Sequence, residues 1–302
     1  MSWQHYISGF EAFLMLEKGL SKHSIEAYVT DTHKLMTWVE SNSPSLRPSE
    51  IRYSDLAKFV TYLNDLGLGS SSQARIISGV RSFFKYLLME GLIEDDPSEL
   101  LEGPRQRRTI PDVLTAAEIG NILDVIDLSH PQGQRNRAML ETLYACGLRV
   151  SELVGLKLSQ YYPELGIIRV IGKNNKERIV PIGKMAIKHI GFYLDHDRSK
   201  LKTIHDEDTD ILFLNRRGRR LSRVMVFNLI KQFTAQAGIE KKVSPHTFRH
   251  SFATHLIEGG ADLKAVQDLL GHESITTTEI YTHLDTRYLR DTILKYHPRN
   301  QS

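Results

Sequence analysis

The sequence predicts a mainly α-helical protein of two domains, the second of which contains a small antiparallel β-hairpin. A chain of 302 residues exceeds the size of one typical hydrophobic core. Most apolar residues recur at helical spacing, and only residues 166–183 show two β-rich runs around a polar turn. With 41% apolar and 25% charged residues, the composition excludes disordered and fibrous proteins.

The first domain is predicted over residues 1–101 as a helical bundle. Two segments follow the helical period, the second of them after the cap-like "GSSS". Their periodic residues are Ile25, Tyr28, Val29, Thr32, Leu35, Met36 and Val39, then Ile76, Ile77, Val80, Phe83, Phe84, Leu87 and Leu88. Residues 102–112, "EGPRQRRTIPD", lack this period and contain two prolines and three arginines, so we interpret them as a linker.

The second domain, residues 113–302, begins with a helix that Thr115 and Glu118 mark by a capping-box pattern. The hairpin follows, with its turn in "GKNNKE". In "SPHTFRHSFATHL", Ser244 is a good N-cap and Pro245 suits the first helical position. The apolar residues of this helix recur every four positions and predict a buried stripe: Phe248, Phe252 and Leu256.

Charge is distributed unevenly along the chain. Residues 1–102 hold 9 Lys/Arg and 14 Asp/Glu, whereas residues 103–302 hold 30 and 22. We therefore expect a polyanionic partner to be bound mainly by the second domain. The absence of an apolar run of about 18 residues predicts no membrane span, and the start has no signal-peptide pattern. The single cysteine, Cys146, fits a reducing compartment, so we expect a cytoplasmic protein in which this thiol is structural.

Two cations near a helix start indicate an anion site. His246 and Arg249 lie three residues apart and share a polar face of the helix that begins at Ser244. Positive side chains at a helix N-terminus oppose the helix dipole. Their placement becomes favourable when a phosphate binds between them and the free backbone N–H groups.

A third cation lies at a helix junction in "ACGLRVSELVGLKL". Gly147 is expected to end one helix and Ser151 to cap the next, which places Arg149 in the turn between them. Glu152 either orients this guanidinium or is explained by the helix dipole alone. Lys173 lies at the tip of the hairpin, where a flexible ammonium group can reach a ligand.

The residues near the C-terminus complete a set suited to phosphoryl transfer without a metal. In "LLGHESITTTEIYTH", Gly271 can end a helix, His272 follows it, and Tyr281 lies in or near a short helix. Tyr281 can attack a phosphodiester, and two arginines can hold its non-bridging oxygens. A histidine can assist the tyrosyl proton and a lysine can protonate the leaving oxygen.

The order of these motifs, "GLRVSEL", the hairpin lysine, "HTFRHSFATH", "LLGH" and "TTTEIYTH", resembles the tyrosine recombinase family, specifically its Xer type. The segment "LSKHSIEAYVTD" looks like that family's core-binding domain. The resemblance implies a SAM-like helical core-binding domain and an α-rich catalytic domain with a small antiparallel sheet. It also implies a set of active-site residues: Arg149, Lys173, His246, Arg249, His272 and the nucleophile Tyr281.

The same resemblance implies the reaction and the partners. Double-stranded DNA would be cleaved through a 3′-phosphotyrosyl link and rejoined through a Holliday junction, with no metal, ATP or other cofactor. A tetramer of this chain alone, or with a second Xer-type recombinase, would act in chromosome dimer resolution at a dif-like site, with a DNA translocase as activator. The C-terminal segment would dock on a neighbouring protomer through an apolar face: Leu284, Tyr288, Leu289, Ile293 and Leu294.

Three other functions compete with this interpretation. His246 and His250 have the i, i+4 spacing of a zinc pair, but Thr247 stands where a metalloprotease helix has glutamate. A zinc site would need a third ligand, for which the candidates are His255, His272 and His283. A non-catalytic DNA-binding protein could use the same basic pocket, although such a clamp would not require Tyr281. A mobile-element integrase or an invertase would use the same chemistry.

Overall fold

The computed structural model describes residues 2–104, 112–172, 176–271 and 283–300, with side chains described for 288–299 in the last range. The chain forms two compact units, Met1–Thr109 and Ile110–Ser302. Every helix of the described residues is too short or too polar to span a membrane.

The first unit is a bundle of four described helices. They are α1 (Trp3–Leu16), α2 (Lys22–Asn42), α3 (Tyr53–Asp65) and α4 (Ser70–Met89). The predicted helical periods are confirmed, because their apolar residues are buried or packed against one core, with Leu35, Val80 and Phe83 at most 1% exposed. Leu88 is the exception and lies at the surface, 39% exposed.

The second unit contains eight described helices. They are α5 (Ala116–Asp124), α6 (Gly133–Ala145), α7 (Val150–Val154), α8 (Lys184–His196), α9 (Arg223–Gln236), α10 (Pro245–Glu258), α11 (Leu263–Leu270) and α12 (His283–Tyr296). The predicted capping box at α5 is present, since Glu118 N–H donates to Thr115 Oγ1 and Thr115 N–H to Glu118 Oε2. Helix α6 is buried along almost its whole length and packs against α8 and α10. Cys146 follows it, and burial raises the pKa of its thiol, as expected of a structural cysteine.

The sheet of this unit is small and antiparallel. Strands β1 (Tyr161–Tyr162), β2 (Ile167–Ile171) and β3 (Glu177–Pro181) pair in the order β1-β2-β3. The predicted hairpin is confirmed, with Ile168 opposite Val180 and Val170 opposite Arg178. Alternate residues of both strands face the core. The mainly α fold class with a small antiparallel sheet is therefore confirmed.

The C-terminal segment packs on the second unit in the single chain. Leu289 and Ile293 of α12 join the core, whereas Tyr288 and Leu294 are exposed. His297, just beyond the helix, is completely buried. Docking on a neighbouring protomer stays a prediction, and the side chain of Leu284 lies outside the described residues.

Candidate active site

Arg249 is the buried cation of the site. Helix α10 begins as predicted, with Ser244 Oγ accepting the Thr247 N–H at 3.3 Å and with Pro245 in the first turn. The sequence placed Arg249 on a polar face, but the residue is only 8% exposed. Its Nη1 donates to the Gly147 carbonyl at 2.7 Å and its Nη2 to the Leu270 carbonyl at 2.6 Å. These acceptors, from distant parts of the chain, account for the burial and hold the guanidinium in one orientation.

Gly147 allows this arrangement by its lack of a side chain. Its φ is +56°, so it ends the α6 segment in the left-handed region, as predicted. A Cβ at this position would lie 2.4 Å from Cδ1 of Phe252. The carbonyl that Arg249 binds therefore belongs to a turn that only glycine fits without rearrangement.

Arg149 is the exposed cation of the site. The prediction that Ser151 caps α7 is wrong, because the helix begins at Val150 and Arg149 is the N-cap residue. The reason is Glu152, whose Oε2 accepts the Arg149 N–H at 2.8 Å. Its Oε1 also accepts Nη1 of Arg149 at 2.9 Å, so the carboxylate both caps the helix and orients the guanidinium. The Arg149 side chain is 38% exposed and accessible to a ligand.

Arg178 of β3 is a third arginine, which the sequence analysis did not single out. Its Nη1 and Nη2 donate to the two carboxylate oxygens of Glu152, each at 2.8 Å, and its Nε donates to the Leu269 carbonyl at 2.9 Å. The signal that could have found it is strand alternation, because Arg178 lies on the same face as the buried Val180. A charged residue at a core-facing position needs a buried partner.

The cluster of Arg149, Glu152, Arg178 and Arg249 carries more positive than negative charge. Burial raises the pKa of the Glu152 carboxyl, but the hydrogen bonds and charge of Arg178, together with the hydrogen bonds of Arg149, outweigh it and hold that pKa below its usual value. Burial, followed by the nearby charge of Arg149, lowers the pKa of Arg249 to about 10. Three guanidinium groups around one carboxylate leave two positive charges, so the cluster can attract an anion such as a phosphate.

The remaining predicted site residues relate to this cluster in different ways. His246 is exposed in the first turn of α10, one turn before Arg249. Lys173, His272 and Tyr281 lie outside the described residues.

The glycines that precede two of these residues both border the cluster. A Cβ built on Gly172 would lie 3.6 Å from Arg178 Nη1 and from Glu152 Oε1. The Gly271 carbonyl accepts Nη2 of Arg149 at 3.3 Å. The backbone leading into the hairpin tip and the backbone after α11 therefore meet at the same group of charges.

The zinc interpretation finds no complete ligand set in the described part of the chain. No group of three His, Cys, Asp or Glu residues there is placed to hold a metal ion.

Comparison with known proteins identifies the family of the chain. A model of the phage integrase family matches residues 112–287, and a model described as the phage integrase N-terminal SAM-like domain matches residues 7–91. The chain belongs to the phage integrase family. Within that family it is 43% identical to tyrosine recombinase XerD of Chlorobaculum tepidum, covering 98% of this chain and 97% of the relative. It is 42% identical to the XerD of Listeria innocua, covering 97% and 98%.

A solved recombinase structure has a similar fold. XerH site-specific recombinase, in a post-cleavage complex with a palindromic difH substrate, is 26% identical, with a TM-score of 0.70 over 90% of this chain and 79% of that chain. The resemblance to tyrosine recombinases predicted from the motifs is confirmed, and so is the enzyme class.

Proposed function

We propose that this integrase-family protein is a site-specific recombinase that resolves chromosome dimers at a dif-like site in the cytoplasm. The observation that carries the proposal is the cluster of Arg149, Arg178 and Arg249 around Glu152, which offers one exposed and one buried guanidinium to a phosphate. The names of the relatives, tyrosine recombinase XerD, support the activity, and the difH substrate in the XerH complex supports the choice of DNA site.

In the proposed cleavage step, the Tyr281 oxygen attacks a DNA phosphorus and forms a phosphotyrosyl bond to the 3′ side. The bond from phosphorus to the 5′ oxygen breaks, and Lys173 gives that oxygen a proton. The phenolic proton of Tyr281 passes to a histidine of the site, for which His246 and His272 are the candidates. Rejoining is the reverse reaction, with a 5′ hydroxyl of another strand as the attacking group.

The two arginines have different parts in this step. Arg249 is held by two backbone carbonyls, so its orientation is fixed before DNA binds. Arg149 is tied to Glu152 on one side and is exposed on the other. Together they hold the two non-bridging oxygens, whose negative charge increases in the transition state.

Strand exchange extends the proposal from one protomer to an assembly. Each cleavage exchanges one phosphodiester for another, so the proposed reaction consumes no ATP, and the guanidinium groups supply the charge neutralisation that a metal would otherwise provide. Two duplexes with two cleavages each require four protomers. We propose that these are four copies of this chain, or two copies with two of a second Xer-type recombinase, and that a DNA translocase activates them.

Trapping of the covalent intermediate tests the proposal. Nicked suicide substrates carrying candidate dif-like sites are incubated with the protein in the presence of a chelator and separated on a denaturing gel. The wild type and Tyr162→Phe, which changes an exposed tyrosine of the same unit, are expected to give a protein–DNA adduct. Tyr281→Phe is expected to bind the DNA and give none. A persistent adduct in Tyr281→Phe would refute the assignment of the nucleophile, and wild-type binding without any adduct would favour a non-catalytic clamp.

A further inference from the structure

Arg178 joins three separate elements of the second unit. It is the second residue of β3, and its side chain is 6% exposed. Its guanidinium binds both oxygens of Glu152 in α7 and, through Nε, the Leu269 carbonyl near the end of α11. The two partners are 26 and 91 residues away in sequence. Three of its five N–H donors are used by these bonds, so the group is fixed within the protein.

The bidentate ion pair between Arg178 and Glu152 determines how much of the positive charge of Arg149 is left for a ligand. The side chain of Glu152 is 2% exposed, and a buried carboxylate without Arg178 would have Arg149 as its remaining hydrogen-bonded partner. Arg249 is the third cation facing it, at 4.0 Å from Oε2. With Arg178 present, the negative charge of Glu152 is already compensated. The positive charges of Arg149 and Arg249 are then left for the phosphate.

The Arg178 side chain also supports the backbone on both sides of the cluster. Gly271 has a φ of +63°, and a Cβ there would lie 3.1 Å from Cδ of Arg178 and 3.3 Å from its Nη1. On the other side, a Cβ on Gly172 would lie 3.6 Å from Nη1. The residues that directly follow these glycines are His272 and Lys173. The last described residue before each of them therefore packs against one guanidinium.

We propose that Arg178 is a positioning residue of the recombinase site. It compensates Glu152 so that Arg149 and Arg249 hold the scissile phosphate, and it fixes the chain where the segments carrying Lys173 and His272 begin. This inference rests on the proposed function, since it assigns Arg178 a part in that same reaction.

The test separates the charge of Arg178 from its packing. The rate of covalent adduct formation on nicked suicide substrates is compared for wild type, Arg178→Met, Glu152→Gln and the double variant Glu152→Gln/Arg178→Met. We expect Arg178→Met to slow the reaction roughly 100-fold, the range of one lost transition-state donor, with DNA binding retained in a gel shift. The double variant is expected to react roughly tenfold or more faster than Arg178→Met, because the uncompensated carboxylate is gone.

A pH profile gives a readout that lost packing would not change. In Arg178→Met, Glu152 loses its main compensating partner and takes up a proton more easily, so the rate relative to the double variant is expected to rise as the pH falls. A constant ratio between the two variants across pH would overturn the proposal. The proposal would also be overturned if the double variant reacted no faster than Arg178→Met, or if the losses of rate in the two single variants simply added up in the double variant.

Matched variants control for loss of the fold. Arg135 is also a buried arginine of the second unit, 2% exposed, whose guanidinium binds Asn136 and the Leu214 carbonyl away from the cluster. Arg135→Met is expected to lower the unfolding temperature without slowing adduct formation. If Arg178→Met does not fold, the uncharged Arg178→Gln replaces it, with Arg135→Gln as its control and the same requirement of rescue by Glu152→Gln. A wild type that binds the suicide substrates but forms no adduct, also with a second Xer-type recombinase present, refutes the proposed function, whereas a reactive wild type with an equally reactive Arg178→Met refutes only the inference on Arg178.

Discussion

The buried ring of His297 makes the stability of the second unit depend on pH. The ring is completely buried, and its centroid lies 4.6 Å from that of Tyr144 and 5.4 Å from that of Phe252. Burial, followed by the nearby charges of His255 and Arg299, lowers the pKa of His297 to about 3. The neutral ring accepts the Arg299 N–H through Nδ1 at 3.3 Å. The C-terminal segment is thus held by a histidine that must stay unprotonated.

The size of the effect follows from the two protonation equilibria. An unfolded histidine has a pKa of about 6.5, so below that pH the unfolded state binds a proton that the folded state excludes. Stability is therefore fully present above pH 6.5 and is lost as the pH falls toward the folded pKa of about 3. Between pH 7 and pH 5 this linkage amounts to about 2 kcal/mol for His297.

The variant His297→Phe removes this titration and keeps an aromatic ring among Tyr144 and Phe252. Urea unfolding at pH 7 and pH 5, followed by circular dichroism at 222 nm, is expected to show a pH dependence smaller by about 2 kcal/mol in the variant than in the wild type. The lost hydrogen bond from Arg299 affects both pH values alike and cancels in this difference. The pKa of His255 is also lowered by burial, and its contribution is present in both proteins.

The two tryptophans provide an internal control. Trp3 and Trp38 are the only tryptophans of the chain, and both belong to the first unit. The unfolding midpoint by tryptophan fluorescence is expected to be the same in wild type and His297→Phe at each pH. An equal pH dependence of the circular dichroism transition in the two proteins would refute the reasoning, because His297 would then titrate alike in the folded and unfolded states.

Two further substitutions test the active site and its frame. Arg249→Lys is expected to slow adduct formation on suicide substrates about 100-fold, because an ammonium group cannot bind the Gly147 and Leu270 carbonyls and still offer a planar fork to phosphate. A wild-type rate in this variant would contradict the proposed role of Arg249 in holding the phosphate. Gly147→Ala is expected to lower the free energy of unfolding by about 2 kcal/mol or more, since it combines a φ of +56° with a Cβ 2.4 Å from the Phe252 ring. An unchanged urea midpoint would contradict this expectation, because it would show that the turn relaxes freely.

The sequence predicted the features that depend on neighbouring residues. The capping box of Thr115 and Glu118, the N-cap at Ser244 and the hairpin between β2 and β3 each follow from residues a few positions apart. The buried stripe of α10 is another local pattern, since its residues recur every four positions. These patterns identified Arg149 and His246 as candidates because both stand beside a helix start.

The features that the sequence did not predict depend on long-range contacts. Arg249 can be buried because the Gly147 and Leu270 carbonyls accept its hydrogen bonds. These acceptors are 102 and 21 residues away in sequence, so no helical period reveals them. Helix α7 starts at Val150, earlier than predicted, because Glu152 accepts the Arg149 N–H and is itself held in place by Arg178 of another element. Local capping preferences alone favoured Ser151 as the cap.

The arginine cluster explains why neither the family motifs nor the local patterns identified Arg178. The motif residues Arg149 and Arg249 are the ones proposed to meet the substrate, Arg149 with a side chain that is 38% exposed and Arg249 from a buried position. A residue that acts through others, as we propose for Arg178, is buried and has no motif of its own in this sequence. Its physical sign is a charge at a core-facing position, opposite Val170 in the register and beside Val180 on the same face. Since burying a charge without a partner is strongly unfavourable, each such position in a sequence predicts a compensating group elsewhere in the chain, and here that group is the carboxylate that orients Arg149.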